Sequence, residues 1–433
     1  MKNKSKQIFL IICCCLLFLI VSTPVGYSYS KSDDSSFNEI NIVEMINQIN
    51  ESRVMYFFEG LMEFGVRYTG TTNCSKAGDW IYDEFEKMGL DVQFHHWKHR
   101  KFESRNVVAT LPGEDDFSNA IFIICAHYDT YITSPGANDD GSGVVAILAI
   151  AEILSQYSFN HTIQFIAFSG EEVGTYGSFK YAIEAYDRGD NIIAVLNLDI
   201  IGFAETTKGG RILRFFHEEP STWIAEYAQE ISLKYIDIIN MTVESLPNYP
   251  GADHQAFVDY GYEGVWIAQH DPNRVGHSPN DTLANINITY QIKATKLMLS
   301  VLTELAIRPI PIQVILRSPL EGRGYINNIP VIRLSFSEQS YLRLRGMTLI
   351  LGRAVAKAEV ICQENVDYVI FSINDVFTVW DSESPYEWKI QGKFYPLIGR
   401  HKLKVFAYCD TGEMDTDEME IVFLTLSYQY GLW

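Results

Sequence analysis

Histidine and acidic residues stand in this chain at points where apolar runs end. His127 directly follows the run that ends at Ala126, and Asp129 comes two residues later. A neutral imidazole is a good zinc ligand, and a nearby acidic residue can orient the ring through its other nitrogen. Taken alone, however, a histidine at a strand end is more often a hydrogen-bonded structural residue. The pair therefore raises a metal site only as a hypothesis.

Two adjacent carboxylates, Asp139 and Asp140, lie among glycines in the motif GANDDGSG, just before a predicted helix. Their charges repel each other unless something cationic lies nearby. A helix N-terminus supplies part of that compensation, so a pair that caps the helix is one alternative. A dication supplies more, and one carboxylate can bridge two metal ions with its two oxygens. We expect Asp139 to be such a bridging ligand.

A second acidic pair, Glu171 and Glu172, follows the apolar run TIQFIAF. Peptide hydrolysis uses a metal-bound carboxylate and a free carboxylate that takes a proton from the attacking water. Neighbouring side chains can point in different directions and divide these two roles. The sequence thus suggests Glu171 as the general base and Glu172 as a metal ligand, with an acidic helix start as the alternative.

Two further candidates complete the set. Asp199 interrupts an apolar stretch, where a carboxylate is costly to bury unless it is paired or bound to a metal. His277 lies in a polar loop within GHSPNDT, where a lone histidine is more often solvated. With the preceding motifs, the chain offers two histidines, three carboxylates and a spare glutamate. That set suits two zinc ions that share a bridging carboxylate.

Short apolar runs that alternate with helical runs position these residues. Strands are predicted at 106–111, 120–126, 162–168 and 192–198, and helices at 75–88, 143–154 and 177–186. Two of the strands are apolar on both faces, as strands in a covered sheet are. This alternation indicates a three-layer αβα domain with a mixed central sheet. Such sheets place ligand sites at the carboxyl ends of their strands.

The two ends of the chain differ from this pattern. A lysine-rich start precedes an apolar run from Ile8 to Val21, and Ser28 and Ser30 offer the small residues of a cleavage site. Beyond Pro309, short strand-like runs with turn signals between them suggest a small β-sandwich, and this part loosely resembles Ig-like modules of extracellular proteins. We therefore expect a signal peptide at 1–30, a zinc peptidase domain at 31–308 and a C-terminal β-sandwich domain at 309–433.

The net charge and the cysteines limit the possible functions further. The formal net charge is −20, which disfavours nucleic acid and anionic membranes as partners. The apolar run is short for a spanning helix, so we expect a secreted protein without stable membrane insertion, and leave surface association open. Cys362 and Cys409 lie in strand-like runs and could pair in an oxidising compartment, or could stay as buried thiols.

The motifs follow the order found in a known family. AHYDT, GANDDGSG, FSGEEVG, NLDIIG and GHSPNDT resemble those of the co-catalytic zinc aminopeptidases of the aminopeptidase Y and Streptomyces aminopeptidase type, kin of glutaminyl cyclase and glutamate carboxypeptidase. The resemblance covers roughly residues 40–308. It implies two zinc ions per chain, Glu171 as the general base and Asp129 as the residue that orients the first histidine. The ligands it implies are His127 and Asp199 on one zinc, Glu172 and His277 on the other, and Asp139 between them.

The sequence departs from the family in two places. The stretch GADHQAF resembles the family's SDHxPF, with Ala252 and Ala256 in place of serine and proline. Some relatives carry a tyrosine near the last histidine ligand to stabilise the oxyanion, but the residue just before His277 is Gly276. The oxyanion donor is therefore unassigned at this point.

These residues predict a secreted metallopeptidase that removes N-terminal amino acids from peptides. Glu171 would take a proton from a water held between the zinc ions and deliver it to the leaving amine. A glutaminyl cyclase with a single zinc is one alternative, and a catalytically inactive, receptor-like binding protein is another. Carboxypeptidase specificity and the oligomeric state also stay open.

Overall fold

The strands that separate the candidate motifs belong to one eight-stranded sheet. We use a computed structural model that describes residues 40–115, 118–247, 251–310, 312–334, 347–362, 365–390 and 398–424. The expected signal peptide lies outside these residues. The sheet consists of β1 Asp91–His99, β2 Phe102–Leu111, β3 Ile121–His127, β4 Thr162–Phe168, β5 Ile192–Leu198, β6 Ile212–His217, β7 Thr242–Pro247 and β8 Gly264–Gln269.

The sheet is mixed, with a parallel centre. Its strand order is β1-β2-β4-β3-β5-β8-β6-β7. Strands β4, β3, β5 and β8 run parallel to one another, so their carboxyl ends meet at one edge. The β1–β2 hairpin joins antiparallel to β4, and β6 joins antiparallel to β8. Strands β1, β6, β7 and β8 were not predicted from the sequence.

Helices cover both faces of this sheet. They are α1 Ile42–Gln48, α2 Glu51–Met62, α3 Thr72–Lys87, α4 Gly141–Leu154, α5 Tyr176–Arg188, α6 Thr222–Lys234, α7 Ile236–Ile239, α8 His254–Val258 and α9 Ile288–Ile307. Alternate residues of β3 enter two different cores: Phe122 and Ile124 pack with α4 and α9, whereas Ile123 and Cys125 pack with α5 and α8. The expected αβα layering is therefore confirmed.

Short polar side chains fix where several helices begin. Asn41, Asn50, Thr71 and Asn287 each accept a hydrogen bond from a backbone amide in the first turn of α1, α2, α3 and α9. Such caps satisfy amides that have no partner within the helix. None of the helices in the described ranges is long and apolar enough to cross a membrane.

The C-terminal region is built from strands. They are β9 Ile312–Ser318, β10 Arg323–Ile326, β11 Ile329–Arg333, β12 Thr348–Leu351, β13 Ala354–Cys362, β14 Val366–Ile373, β15 Phe377–Asp381, β16 Tyr386–Ile390, β17 Ile398–Cys409 and β18 Met414–Leu424. They form a seven-stranded sheet, β11-β10-β12-β18-β17-β14-β15, and a three-stranded sheet, β16-β13-β9. Both sheets contribute to one separate apolar core, so the expected β-sandwich is confirmed.

The cysteines follow one of the two alternatives left open. Cys362 of β13 and Cys409 of β17 are joined by a disulfide, while Cys74 and Cys125 are buried free thiols. The disulfide links the two sheets of the sandwich. The exact boundary between the α/β and β regions, placed near residue 309, stays a prediction.

Candidate metal centre

The residues singled out by the sequence meet at the carboxyl edge of the central strands. His127 is the last residue of β3, Glu171 and Glu172 follow β4, and Asp199 follows β5. Because β3, β4 and β5 are parallel neighbours, these three strand ends lie side by side. Asp139 comes from the loop before α4. His277 comes from the loop between β8 and α9.

Two groups of three ligand-type side chains form here and share one member. His127, Asp139 and Asp199 offer atoms that lie within 4.8 Å of one another, and so do Asp139, Glu172 and His277. The two oxygens of Asp139 face different histidines. Its Oδ1 lies 3.4 Å from His127 Nε2, and its Oδ2 lies 3.3 Å from His277 Nε2. This is the arrangement expected of a carboxylate between two metal ions.

The donor atoms fit metal ions because they lack other partners. His127 is 1% exposed, and its Nε2 makes no hydrogen bond within the described part of the chain. Oε1 of Glu172 is buried and also without a hydrogen bond there. A buried polar atom without a partner is costly. Imidazole nitrogens and carboxylate oxygens are the ligands that zinc accepts in catalytic sites.

The charges around the histidines attract a cation. Burial alone would lower the pKa of His127, but Asp129, Asp139 and Asp199 raise it well above its usual value. Burial alone would raise the pKa of Asp139, but His127 and His277 hold it below its usual range. A field that stabilises a proton on a buried imidazole also stabilises a metal ion in its place.

The adjacent glutamates point to different neighbours. Oε2 of Glu172 lies 3.2 Å from His277 Nε2, within the second group. Oε2 of Glu171 lies 3.9 Å from His127 Nε2 and belongs to neither group. Burial, together with the charges of Asp199 and Asp253, raises the pKa of Glu171 well above its usual value. A mostly buried carboxyl with a raised pKa, beside possible metal ligands, has the properties of a general base.

Asp129 contacts His127 with its main chain, and its carboxylate oxygen Oδ1 lies 3.7 Å from His127 Nδ1. Its main-chain carbonyl, rather than its carboxylate, lies at hydrogen-bond distance from His127 Nδ1, at 3.0 Å. The carboxylate accepts hydrogen bonds from the backbone amides of Glu171 and Glu172, at 3.2 and 3.3 Å, and from the hydroxyl of Thr69. Asp129 therefore ties the end of β3 to the loop that carries the two glutamates.

The two members of the Asp139–Asp140 pair fit different alternatives, metal binding for the first and helix capping for the second. Asp139 faces the histidines, whereas Asp140 caps α4, with Oδ1 accepting from the amides of Gly143 and Ile200 at 2.9 and 3.2 Å. Its other oxygen accepts from the amide of His127 at 3.3 Å. The helix-capping interpretation thus holds for the second carboxylate of the pair and not for the first.

Three residues around the site were not found from the sequence. Arg67 is fully buried and donates to the carbonyls of Tyr128, Pro135 and Gly136. Asp281 is fully buried and accepts from the amides of Asn138 and Asp139, at 2.8 and 3.1 Å. The ring of Tyr131 stacks on His277 at 4.6 Å between centroids. Each of the three acts on a distant loop, and no local pattern signals it.

Asp253 is a fourth such residue, and it lies within the stretch that resembles SDHxPF. Burial raises its pKa to about 7, with the charge of His127 opposing that rise and those of Asp129 and Asp199 adding to it. Its charge also raises the pKa of Glu171. The sequence indicates this stretch as a possible family motif. It does not show that the Asp253 carboxylate lies near Glu171 and raises its pKa.

Comparisons with known proteins agree with this geometry. Residues 106–302 match peptidase family M28. A probable leucine aminopeptidase of Arthroderma otae is 27% identical over 288 residues, which cover 62% of this chain and 76% of the relative.

Solved structures share the fold at identities that carry no more than the fold. LapB from Legionella pneumophila has a TM-score of 0.56 at 23% identity, with 62% of this chain and 76% of that chain covered. A zinc aminopeptidase from Bacillus subtilis has a TM-score of 0.53 at 16% identity, covering 60% and 96%. A glutaminyl cyclase from Fimbriiglobus ruber has a TM-score of 0.51 at 19% identity, covering 59% and 95%. The family resemblance expected from the five motifs is therefore confirmed. The match of residues 106–302 to peptidase family M28 includes every residue of the two ligand groups.

Proposed function

We propose that this chain is a zinc aminopeptidase, secreted from the cell, that removes residues from the N-terminus of peptides. The observation that supports it most is the pair of ligand groups that share Asp139, with Glu171 beside them and outside both. His127 and Asp199 would hold one zinc ion, and Glu172 and His277 the other. The Cys362–Cys409 disulfide agrees with an oxidising compartment.

The chain's own residues would move the proton. Zinc, when bound, supplies a Lewis acid that activates water and polarises the scissile carbonyl. Glu171 would accept the proton of the attacking water at one carboxylate oxygen and then deliver it to the leaving amine. Its raised pKa suits this double role, because a buried carboxyl holds a proton more readily than a solvated one. The Asp129 carboxylate would keep Glu171 in place by accepting a hydrogen bond from the backbone amide of Glu171.

The surroundings of the site favour a positively charged substrate end. Glu171, Glu172, Asp139 and Asp199 stand close together, and of these Glu172 and Asp139 are only 4% and 12% exposed in their side chains. The zinc ions would neutralise their three carboxylate ligands, but Glu171 lies outside both ligand groups and could pair with a protonated α-amine. A C-terminal carboxylate would be repelled at the same position, which supports attack at the amino end.

A peptide panel with metal analysis tests the proposal. The purified protein is given one tetrapeptide with a free N-terminus, with an acetylated N-terminus and with an amidated C-terminus, and zinc is measured by atomic absorption. We expect cleavage of the first and third peptides, little of the second, and two zinc ions per chain. Chelation should abolish cleavage, and added zinc should restore it.

Each rival gives a different result in the same panel. Loss of the C-terminal residue from the acetylated peptide would indicate a carboxypeptidase. Conversion of an N-terminal glutamine to pyroglutamate, with one zinc per chain, would indicate a cyclase. Absence of any reaction in the zinc-loaded protein would leave a binding protein as the remaining interpretation.

A further inference from the structure

The turn between β1 and β2 concentrates positive charge in an otherwise acidic chain. We call residues 98–102 the hairpin tip. Within it, Lys98, Arg100 and Lys101 are exposed. Lys98 pairs with Glu103 at 3.0 Å, and both side chains are 71% exposed. Arg100 and Lys101 form no ion pair with any residue in the described ranges, and the Lys101 ammonium lies 5.0 Å from the centre of the Phe102 ring. The net charge of the whole chain is −20, so these two cations form a local exception to the overall charge.

The sheet carries the hairpin tip past the edge where the metal centre lies. The ladder between β2 and β4 begins at the pair Val107 and Ala167, whereas β2 itself begins at Phe102. The β1–β2 pairing continues over these extra residues to His99. Residues 102–105 therefore project beyond the carboxyl end of β4, by roughly 14 Å at about 3.4 Å per residue. The hairpin therefore forms a wall beside the loop that carries Glu171 and Glu172.

Specific contacts hold this wall against the loop between β4 and α5. Trp97 donates a hydrogen bond from Nε1 to Ser169 Oγ at 3.1 Å. Its ring also packs closely on Gly170, so that a Cβ atom added to Gly170 would lie only 2.5 Å from the ring. The ring of His99 stacks on Tyr176 with 4.2 Å between centroids. This loop carries the proposed general base. The hairpin tip thus has a fixed position beside the loop that carries Glu171.

We propose that Arg100 and Lys101 bind a carboxylate of the peptide substrate, on the leaving side of the scissile bond. This inference rests on the proposed aminopeptidase function. In this proposal, a peptide held by its N-terminus at the metal centre extends its later residues away from the strand edge, alongside the projecting hairpin. An extended chain spans about 3.3–3.6 Å per residue, so the third and fourth residues reach the height of the tip.

Charge complementarity identifies the group that the hairpin tip recognises. The acidic chain as a whole repels an anionic peptide, and the two cations of the hairpin tip reverse that repulsion locally. The carboxylate can come from the C-terminus of a short peptide or from an aspartate or glutamate side chain. In both cases the tip selects substrates with negative charge a few residues after the cleaved bond.

The experiment compares peptides that share one scissile bond. Leu-Ala-Ala-Ala amide is neutral beyond its N-terminus, its free acid adds a terminal carboxylate, and Leu-Ala-Glu-Ala amide adds a side-chain carboxylate. Leu-Ala-Lys-Ala amide carries the opposite charge. Because the N-terminal residue is the same in all of them, the ratio of kcat/KM between a charged and the neutral peptide isolates the contribution of the later residues.

The double variant Arg100→Asn, Lys101→Gln removes both free cations. Asparagine suits position 100 because φ there is 51°, in the left-handed region. Lys389→Gln, an exposed site on β16, is the control for a lost positive charge elsewhere. In the wild type and the control, the carboxylate peptides should exceed the neutral one in kcat/KM by about threefold to tenfold at low salt, mainly through KM. In the double variant and at high salt that ratio should fall towards one.

The outcomes separate this inference from the proposed function. A preference for only the free acid, or for only the glutamate peptide, supports the inference and identifies the source of the carboxylate. An equal ratio in the wild type and the double variant, or a preference for the lysine peptide in the wild type, overturns it while leaving the aminopeptidase proposal intact. Cleavage of none of the peptides by the zinc-loaded protein overturns the proposed function and this inference together.

Discussion

The α/β region and the C-terminal β region both bury carboxylates, but they compensate them in different ways. In the β region, Asp415 and Asp417 accept hydrogen bonds from the backbone amides of Val314 and Leu316 in β9, at 2.8 and 2.7 Å. At the metal centre, the carboxylate of Asp139 instead faces two imidazoles and other acids. Burial alone therefore does not mark a functional acid. The kind of partner does, because an acid facing other acids needs a cation.

The two regions also differ in what stabilises them. The α/β region buries an extensive apolar core on both faces of its sheet. The β region has one smaller core and adds the Cys362–Cys409 disulfide across its sheets. A small core gains more from a covalent cross-link than a large one does. We therefore expect catalysis to depend on the α/β region and the disulfide to affect stability alone.

Glu171→Gln should have the largest effect, and only on catalysis. Glutamine keeps the size of the side chain but cannot take a proton, so kcat should fall by about 10²- to 10⁴-fold. Zinc content should stay normal, because Glu171 belongs to neither ligand group. Steady-state kinetics with a zinc assay would measure both quantities.

Glu184→Gln is the matched control, since Glu184 is half-exposed on α5 and pairs with His95. Its kinetics should equal those of the wild type. If Glu171→Gln kept more than a tenth of the wild-type kcat, the general-base role would be wrong. If it lost zinc, the residue would have to be counted among the ligands.

Much of the fold was predictable where strands are apolar on both faces. Strands β3 and β5 are continuous apolar runs, and each was predicted to within two residues. Strand β1 was missed because its sequence, DVQFHHWKH, mixes polar and aromatic residues on an exposed hairpin at the sheet edge. Strands β6 and β7 lie at the opposite end of the sheet from β1, and β8, which is mostly buried, was missed as well. An edge strand carries a weak pattern because only part of it faces a core.

The meeting of the candidate residues at one edge of the sheet was predictable, because each lies at the end of a strand or in a glycine-containing loop. The supporting residues were not. Arg67 binds carbonyls that lie 61 to 69 residues further along the chain. Asp281 binds amides 142 and 143 residues away. Hydrogen bonds to main-chain groups do not depend on the identity of the partner residue, so no sequence pattern records them.

Asp281→Asn tests whether these backbone contacts matter to the metal centre. The amide would replace one acceptor with a donor that faces the amide of Asn138 or Asp139, so the loop with Asp139 should shift. We expect zinc affinity to fall by about 10- to 100-fold and the free energy of unfolding to fall by about 1–3 kcal/mol. Competition with a chelator and denaturant unfolding would measure them.

Asn280→Ala is the control, because Asn280 is the exposed neighbour and contacts its surroundings through its backbone. It should leave zinc affinity unchanged. Unchanged affinity in Asp281→Asn would contradict the view that the loop contact positions Asp139, even if stability falls.

The double variant Cys362→Ser, Cys409→Ser should affect stability and not chemistry. Removing the cross-link, which closes a sequence separation of 47 residues, should lower the free energy of unfolding by about 2–4 kcal/mol. Zinc content and kcat should not change. Reductant should lower the melting temperature of the wild type and leave that of the variant unaffected. A loss of zinc on reduction would show that the two regions do not separate as proposed.

Glu263→Gln should have the smallest effect, where the two regions meet. Burial raises the pKa of Glu263 to about 7, and the charges of Asp417 and Asp415 add to that rise, while Trp223 donates to its carboxylate and opposes it. Because this pKa is higher in the folded protein than in the unfolded chain, the stabilising contribution is complete below the unfolded pKa. It is lost as the pH rises through about 7.

Glutamine removes that loss, so Glu263→Gln should match the wild type near pH 4 and exceed its free energy of unfolding by about 1–3 kcal/mol at pH 8. Glu244→Gln provides the opposite sign, because the Arg214 guanidinium lowers the pKa of Glu244. Its contribution is present above the unfolded pKa and is lost as the pH falls, so this variant should be less stable than the wild type at pH 8 and equal to it at low pH. If both variants changed stability in the same direction with pH, burial would not hold a proton on the Glu263 carboxyl in the folded protein.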